Sequence, residues 1–185
     1  MGGILVTAAT PDRHDFERII RRIADIGRDL AYRDGDARGE PDQASFLLSD
    51  FGIETYRKFA KAGQLQVVLK DDESVAFAVV YPPKMPADDP GTRHIRAAYG
   101  DVPVVKQVAT APGHGRRGYS RLLYRHFAEQ YPALPLFAAI AEQPRNYGSE
   151  NFHSKLGFVK CATFSAHPDG RERGIWRCPA IVQRP

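Results

Sequence analysis

The residues with the clearest chemistry stand at 108–121, Val108-Ala-Thr-Ala-Pro-Gly113-His-Gly115-Arg-Arg-Gly118-Tyr-Ser120-Arg. An apolar run ends, a glycine-rich loop follows, and an amphipathic helix marked by Tyr119, Leu122, Leu123, His126 and Phe127 begins. The first turn of a helix presents main-chain N–H groups without intrahelical partners and a partial positive charge, which suits a phosphate. Glycine lets a backbone approach such an anion without a Cβ in the way. Between Val102 and Ala128 the cations Lys106, Arg116, Arg117, Arg121 and Arg125 are accompanied by no acid. In a chain with 26 Lys plus Arg against 22 Asp plus Glu, net +4, that gap points to a polyanionic ligand. A tight turn followed by a solvated basic helix face is the plainer alternative.

Three kinds of phosphate loop compete for this segment. Gly113-x-Gly115-x-x-Gly118 matches the dinucleotide fingerprint, and Glu142 ends the next strand, where a ribose-binding acid could stand. The chain ends at Pro185, which leaves little length for the rest of a doubly wound dinucleotide fold. No Gly-Lys-Ser/Thr follows the glycines, which excludes a P-loop. Neither His-Arg-Asp nor Asp-Phe-Gly occurs downstream, which excludes a kinase loop.

The elements that must hold these residues are read from periodicity and punctuation. A short strand covers 3–9, and Thr10-Pro11-Asp12 reads as the start of a helix with Phe16, Ile19, Ile20, Ile23 and Ala24 on one face. Asp29–Gly39 is a polar loop, and Phe46 to Ala62 reads as a second helix stopped by Gly63. Gln64–Lys70 and Ser74–Tyr81 form a hairpin around Asp71-Asp72-Glu73. Pro82 to Asp101, with four prolines between 82 and 90, reads as an irregular loop. Strand Val102–Ala111, the helix from Tyr119 to about Tyr131, strand Leu134–Ala141 and helix Asn146–Leu156 follow. Strands Val159–Ser165 and Gly174–Cys178, joined across His167-Pro168-Asp169-Gly170, complete the order. This order predicts an α/β (α+β) fold, a mixed central sheet of six to seven strands flanked by about four helices, as a single domain over 1–185.

Composition removes other classes. Hydrophobic residues at 43% and charged residues at 26% suit a globular chain and not a disordered one. No apolar run approaches the roughly 18–20 residues of a spanning helix, so no membrane role is expected. The start, Met1 to Val6, lacks a basic n-region, and Val6 stands where myristoylation needs Ser or Thr; a cytoplasmic location is the expectation. Cys161 and Cys178, on the last two strands, are expected as buried free thiols, and no Cys/His spacing fits a metal site. The pI of 9.1 raises nucleic acid as a partner, but the basic run lies on one helix without interleaved aromatics, so none is expected.

Segment 108–123 resembles the acyl-CoA loop of the GNAT superfamily of N-acetyltransferases. There a strand Val-Ala-Val-x-Pro leads into Arg-Gly-x-Gly-x-Gly/Ala and a helix with paired leucines. Val108 to Pro112 fits the strand end, Gly115 to Ser120 the loop, and Leu122-Leu123 the helix. Gly118 keeps a family glycine, whereas Gly115 stands for the Arg, Arg116 for the first Gly and Ser120 for the last. The segment Asn146 to Phe158 is similar to the family's Asn-x-x-Ala-x-x-Phe-Tyr-x-Lys-x-Gly-Phe. Asn146, Phe152, Lys155, Gly157 and Phe158 coincide, with Ser149 for Ala and His153 for Tyr.

The resemblance implies acetyl-CoA as co-substrate, its pyrophosphate resting on the N–H groups around Gly115, Arg116, Arg117, Gly118, Tyr119 and Ser120. It implies that the pantetheine runs along Val108, Ala109 and Thr110, with Asn146 bonding the arm. The family reaction is direct attack of an amine on the thioester, without an acyl-enzyme. His153 then stands at the position of the acid that protonates the thiolate, as an imidazolium, with Tyr147 as substitute donor. Glu142 is the nearest candidate base, and water relaying to a carbonyl the alternative. The acceptor is a small-molecule or peptide amine, for which Asp88, Asp89 and Asp101 are candidate attractors, and a homodimer is left open. A non-catalytic acyl-CoA sensor on the same fold is the second reading, since His153 replaces the Tyr and the strand 102–111 has no carboxylate.

Overall fold

Seven strands and five helices follow one another in the computed structural model, which describes residues 3–33, 45–48, 51–165 and 169–179. They are β1 (Ile4–Ala8), α1 (Phe16–Leu30), α2 (Ile53–Lys61), β2 (Leu65–Lys70), β3 (Glu73–Tyr81), α3 (Pro90–Tyr99), β4 (Val104–Thr110), α4 (Tyr119–Gln130), β5 (Leu136–Ala141), α5 (Tyr147–Lys155), β6 (Val159–Phe164) and β7 (Arg173–Cys178). The strands form one sheet in the order β1-β2-β3-β4-β5-β7-β6. β4 and β5 are parallel, whereas β1 with β2, β2 with β3, β5 with β7 and β6 with β7 are antiparallel. The mixed α/β sheet expected from the sequence is present, and the doubly wound alternative is not, since a dinucleotide fold needs a mostly parallel sheet.

The chain divides into two compact units whose segments interleave. The first comprises Met1–Ala31, Leu47–Val80 and Gln107–His126. Ile19, Ile20, Ile23 and Ile26 recur at helical spacing on α1 and pack with Tyr56, Phe59 and Ala60 of α2. The same core takes Leu65, Val67 and Leu69 from β2, Phe77 and Val79 from β3, and Ala109 and Ala111 at the end of β4. Strand alternation puts these residues on one face. The β2–β3 turn runs through Asp71 and Asp72, both left-handed at φ 50° and 64°, a conformation Asp tolerates better than most residues.

Two helix boundaries differ from the reading of the sequence. α1 starts at Phe16, not after Thr10, because Thr10 to Phe16 closes two turns first: Arg13 N–H donates to the Thr10 carbonyl and Phe16 N–H to that of Arg13. Asp15 precedes α1 without capping it, since its carboxylate is held by Arg13 at 2.9 Å. α2 starts at Ile53, and Leu47 forms a bridge with Ala31 instead of a helical turn. Parts of the expected 29–39 loop, the 46–62 helix and the 167–170 turn lie outside the described residues.

Gly27 carries a stability prediction. A Cβ there falls inside contact distance of the Tyr56 hydroxyl and 3.2 Å from its Cε2. Tyr56 has no room to yield: it is fully buried and its hydroxyl donates to Gln107 Oε1 at 3.1 Å. Gly27→Ala gains about 1 kcal/mol of helix propensity but forces overpacking worth about 1–3 kcal/mol. A net loss of up to about 2 kcal/mol is expected in urea unfolding.

The second unit comprises Tyr32–Phe46, Tyr81–Lys106 and Phe127–Pro185, with a core of Tyr81, Ile95, Val102, Val104, Phe137, Phe164 and Ile175. Here the expected irregular loop over 82–101 is corrected: it contains α3. Asp89 caps the helix by accepting the Thr92 N–H at 3.0 Å, and Pro90 occupies the first helical position. The Arg96 guanidinium donates to the carbonyls of Tyr81 (3.2 Å), Pro82 (2.5 Å) and Val102 (3.2 Å), and to that of Met85, so this excursion is built and not slack. Cys178 is buried as expected, but Cys161 is exposed, because β6 is an edge strand whose register shifts between Lys160 and Ala162.

Candidate active site

The glycine turn lies in the first unit. Ala111 N–H donates to the Val75 carbonyl at 2.9 Å, which anchors the end of β4. Pro112 and Gly113, φ +80°, then turn the chain, and His114 N–H closes the turn on the Ala111 carbonyl at 3.0 Å. Proline followed by a left-handed glycine is the arrangement a type II turn requires. Arg116 at φ +62° and Gly118 at φ +81° alternate with their neighbours up to the start of α4 at Tyr119. Among the described residues, the main-chain N–H groups from Gly115 to Arg121 donate to no other main-chain group; Leu122 N–H is the first to do so, to the Gly118 carbonyl at 3.2 Å. Alternating left-handed residues before a helix make a concave nest of N–H groups that receives anions.

Side chains fix the rim of this nest. Tyr119 is buried, and Ser120, at the family's last glycine position, shares a hydrogen bond of 2.8 Å with the Thr110 hydroxyl, tying α4 to β4. Gly115 to Gly118 are exposed. Arg116, Arg117 and Arg121 pair with no carboxylate among the described residues, whereas Arg13, Arg57, Arg145 and Arg173 all do. Of the five cations read from the sequence as lacking a nearby acid, Arg116, Arg117 and Arg121 are those without a carboxylate partner among the described residues, whereas Lys106 stands 3.6 Å from Asp89.

Val108, Ala109 and Thr110 continue β4 toward the nest. Ala109 faces the core, while Val108 and Thr110 are half-buried on the other side. The β4–β5 ladder pairs Val104 with Phe137 and Val105 with Ala138, and β4 runs on beyond it to Thr110. That early end of the ladder has no signature in the sequence, where Val102–Ala111 reads as one uninterrupted strand.

The remaining candidates lie in the second unit. Asn146 is buried and caps α5, its Oδ1 accepting the Ser149 N–H at 3.1 Å while its Nδ2 donates to the Phe46 carbonyl at 2.8 Å. Gly148 packs against Ser45 so closely that a Cβ would lie 2.7 Å from the Ser45 nitrogen. The N-terminus of α5 thus clamps segment 45–46, a task the sequence does not reveal. Tyr147 is half-buried with the Arg145 guanidinium 4.7 Å from its ring centre, and Arg145 pairs with Glu150 at 2.9 Å.

His153 requires a correction. It is 2% exposed, lies edge-on to Phe152 and Phe158, and places Nδ1 2.7 Å from the Ser149 carbonyl, so Nδ1 carries the proton. Burial pushes its pKa down to about 4, against which the Ser149 carbonyl acts only weakly. At neutral pH His153 is a neutral ring and not the imidazolium acid expected. Glu142 is committed as well: Lys160 meets its carboxylate at 2.5 Å and the Thr163 hydroxyl donates to it at 3.3 Å. The acids of 82–101 are engaged too. Asp88 accepts from the Tyr81 hydroxyl, Asp89 caps α3 with Lys106 at 3.6 Å, and Asp101 accepts the Lys84 N–H at 2.8 Å. They serve α3 and its flanks before any acceptor.

A cavity of about 480 Å³ opens at the start of α1, lined by Pro11, Arg13, His14 and Asp15 among others. Its buried carboxylate, Asp15, is already held by Arg13 and Arg18, so the cavity offers no convergent free group like the N–H row at the glycine turn. Among the described residues no group of three or more His, Cys, Asp or Glu is placed to hold a metal, and no helix is long and apolar enough to cross a membrane.

Similarity to known proteins agrees with this geometry. Among solved structures, a GNAT-family acetyltransferase from Bacillus cereus superposes with a TM-score of 0.63 at 17% identity, covering 96% of this chain and 98% of that one. The diaminobutyrate acetyltransferase of Paenibacillus lautus, in complex with L-2,4-diaminobutyric acid and coenzyme A, gives 0.60 at 11% identity over 100% and 99% of the two chains. The ribosomal-protein-S18-alanine N-acetyltransferase of Escherichia coli gives 0.58 at 14% identity over 97% and 94%. At these identities the likeness is one of fold. No curated protein matches the sequence significantly. The family model for the acetyltransferase (GNAT) family matches residues 31–158, a span that holds both the glycine turn and the Asn146–Phe158 segment, and the chain belongs to that family.

Proposed function

We propose that this protein transfers an acetyl group from acetyl-CoA to a primary amine by direct attack, with no acyl-enzyme. The observation that carries the reading is the row of main-chain N–H groups from Gly115 to Arg121, which donate to no main-chain group among the described residues, exposed from Gly115 to Gly118 and set among arginines without a carboxylate partner. Such a row takes the diphosphate of coenzyme A, and α4 adds its dipole. The pantetheine extends as an added strand along Val108, Ala109 and Thr110, where β4 has left the β5 ladder. A main-chain N–H there stabilises the charge that develops on the thioester oxygen.

In the step itself the amine lone pair attacks the thioester carbon, the C–S bond breaks, and an amide and the CoA thiolate form. The incoming ammonium must first lose a proton. Glu142 is already ion-paired with Lys160, so water relaying the proton to a carbonyl is the route we favour. Tyr147 is the remaining proton donor for the thiolate, because His153 is neutral with its Nδ1 proton on Ser149. Asn146 is a positioning residue in this scheme, holding α5 to segment 45–46.

The acceptor class is a small-molecule or peptide amine, by analogy with the fold neighbours that act on diaminobutyrate and on a protein alanine. Thiol release from acetyl-CoA over a panel of diamines, amino acids and N-terminal peptides tests the assignment. Amine-dependent release is expected. The neutral His153 and the paired Glu142 favour one second reading, an acyl-CoA sensor. Acetyl-CoA binding without release over the panel selects the sensor, and no binding at all overturns both.

A further inference from the structure

We infer that Arg145 is a positioning residue for Tyr147: clamped by Glu150, its guanidinium fixes the ring and stabilises the phenolate left when Tyr147 gives its proton to the coenzyme A thiolate. The inference rests on Tyr147 as the proton donor proposed above and adds the group that acts on it.

The backbone around Arg145 is tied down. Glu142 and Arg145 form a bridge across the turn that leaves β5, and the Asn146 N–H donates to the Ala141 carbonyl at 3.0 Å. Asn146 caps α5, so Arg145 precedes the cap and Glu150 is the fourth helical residue. A helix start often packs an apolar pair at these two positions. Here they hold an ion pair, Nε and Nη2 of Arg145 donating to the two Glu150 oxygens at 3.1 and 2.9 Å. Glu150 is buried, whereas the Arg145 side chain is 55% exposed. An apolar pair sets the entry of the chain into a helix without burying a carboxylate, so the charge calls for a use beyond that task.

The Tyr147 ring supplies that use. Arg145 Cζ stands 4.7 Å from its centre, and the fork to Glu150 leaves Nη1 outside it. Glu150 raises the Arg145 pKa above its ordinary value, and Tyr147 adds to this in the same direction. A cation over an aromatic face is attracted by the ring's π electrons. In the proton transfer the O–H bond of Tyr147 breaks, an S–H bond forms on coenzyme A, and the negative charge passes from sulfur to the phenolate. The attraction to Arg145 then becomes one between full charges, stronger as the transfer proceeds than before it, which is the condition for accelerating a step. Water returns a proton to Tyr147 after the products leave.

The test is a double-mutant cycle on kcat, read by thiol release at saturating acetyl-CoA with the amine that turns over fastest. Tyr147→Phe is expected to lower kcat about a hundredfold and Arg145→Gln about tenfold. Added to Tyr147→Phe, Arg145→Gln is expected to lower kcat no further, because the charge it answers never forms. A second variant, Arg145→Met with Glu150→Leu, restores an apolar pair at the start of α5 and removes only the charges. Its melting temperature is expected within a few degrees of wild type and its kcat about tenfold lower. Equal losses from Arg145→Gln in both backgrounds assign Arg145 to holding α5 alone and overturn the inference, as does wild-type kcat in the apolar pair. Unchanged kcat in Tyr147→Phe overturns the choice of donor itself, a result reached without touching Arg145. Wild type that binds acetyl-CoA and releases no thiol overturns both.

Discussion

Gly118→Asp is expected to raise the dissociation constant for acetyl-CoA at least about a hundredfold, a loss of about 2.7 kcal/mol or more. Two effects combine at this residue. The backbone is at φ +81°, where any side chain is strained, though Asp less than most. A Cβ added there meets nothing within 4 Å, so the carboxylate fits without displacing the fold and stands at the N-terminus of α4. A unit charge about 4 Å from a like charge near a protein surface costs about 4 kcal/mol, and the diphosphate brings two. Calorimetry reads the affinity, and a melting temperature within a few degrees of wild type shows that the fold has survived. Gly118→Ala separates the two contributions, since it introduces the strain without the charge and is expected to weaken binding by no more than about tenfold. Acetyl-CoA affinity retained in Gly118→Asp places the diphosphate elsewhere.

The second large effect is on stability at acid pH and comes from His153. In the unfolded chain this ring has the ordinary value of 6.5, while burial holds it at about 4 in the folded protein. Above pH 6.5 the ring is neutral in both states, and its contribution to stability is fully present. As pH falls toward 4 the unfolded chain takes up a proton that the folded chain refuses, so stability is lost through that window. The span corresponds to about 3 kcal/mol. Urea unfolding at pH 7, 5.5 and 4 reads it, and in His153→Gln the slope over this interval is expected to flatten. Catalysis supplies an independent readout. A ring that is neutral at pH 7 has no ionisable proton to deliver, so the pH profile of kcat is expected to keep its shape in His153→Gln. Disappearance of a limb near pH 6–7 would restore His153 as the acid.

Much of the glycine turn was legible in the residues because its determinants are local. Pro112-Gly113 and Gly118 allow left-handed geometry, Tyr119 begins the apolar stripe of α4, and no acid stands near Arg116 and Arg117 in the sequence. The strands and helices from β4 onward follow from periodicity for the same reason. α3 was misread, although its start, Asp89-Pro90 with the Thr92 N–H donating to the Asp89 carboxylate, is written plainly in the residues. Counting prolines obscured it, since proline marks a loop or a first helical turn according to what stands before it.

The catalytic residues were less legible because their chemistry depends on neighbours far away in the chain. Glu142 reads as a strand-end carboxylate until Lys160 and Thr163 stand beside it. Asn146 reads as a ligand for the pantetheine arm or as a helix cap, and only the fold adds the Phe46 carbonyl as a partner of its amide.

Sequence alone was enough for the family, the order of most elements and the geometry of the glycine turn proposed as the anion site. All three depend on spacing along the chain, on backbone freedom at single residues and on uncancelled charge, none of which needs a distant partner. Tertiary structure decided the protonation of His153, the commitment of Glu142 and of the acids flanking α3, and the point where β4 leaves the β5 ladder. Desolvation and pairing set those properties, and both come from segments brought together only by folding.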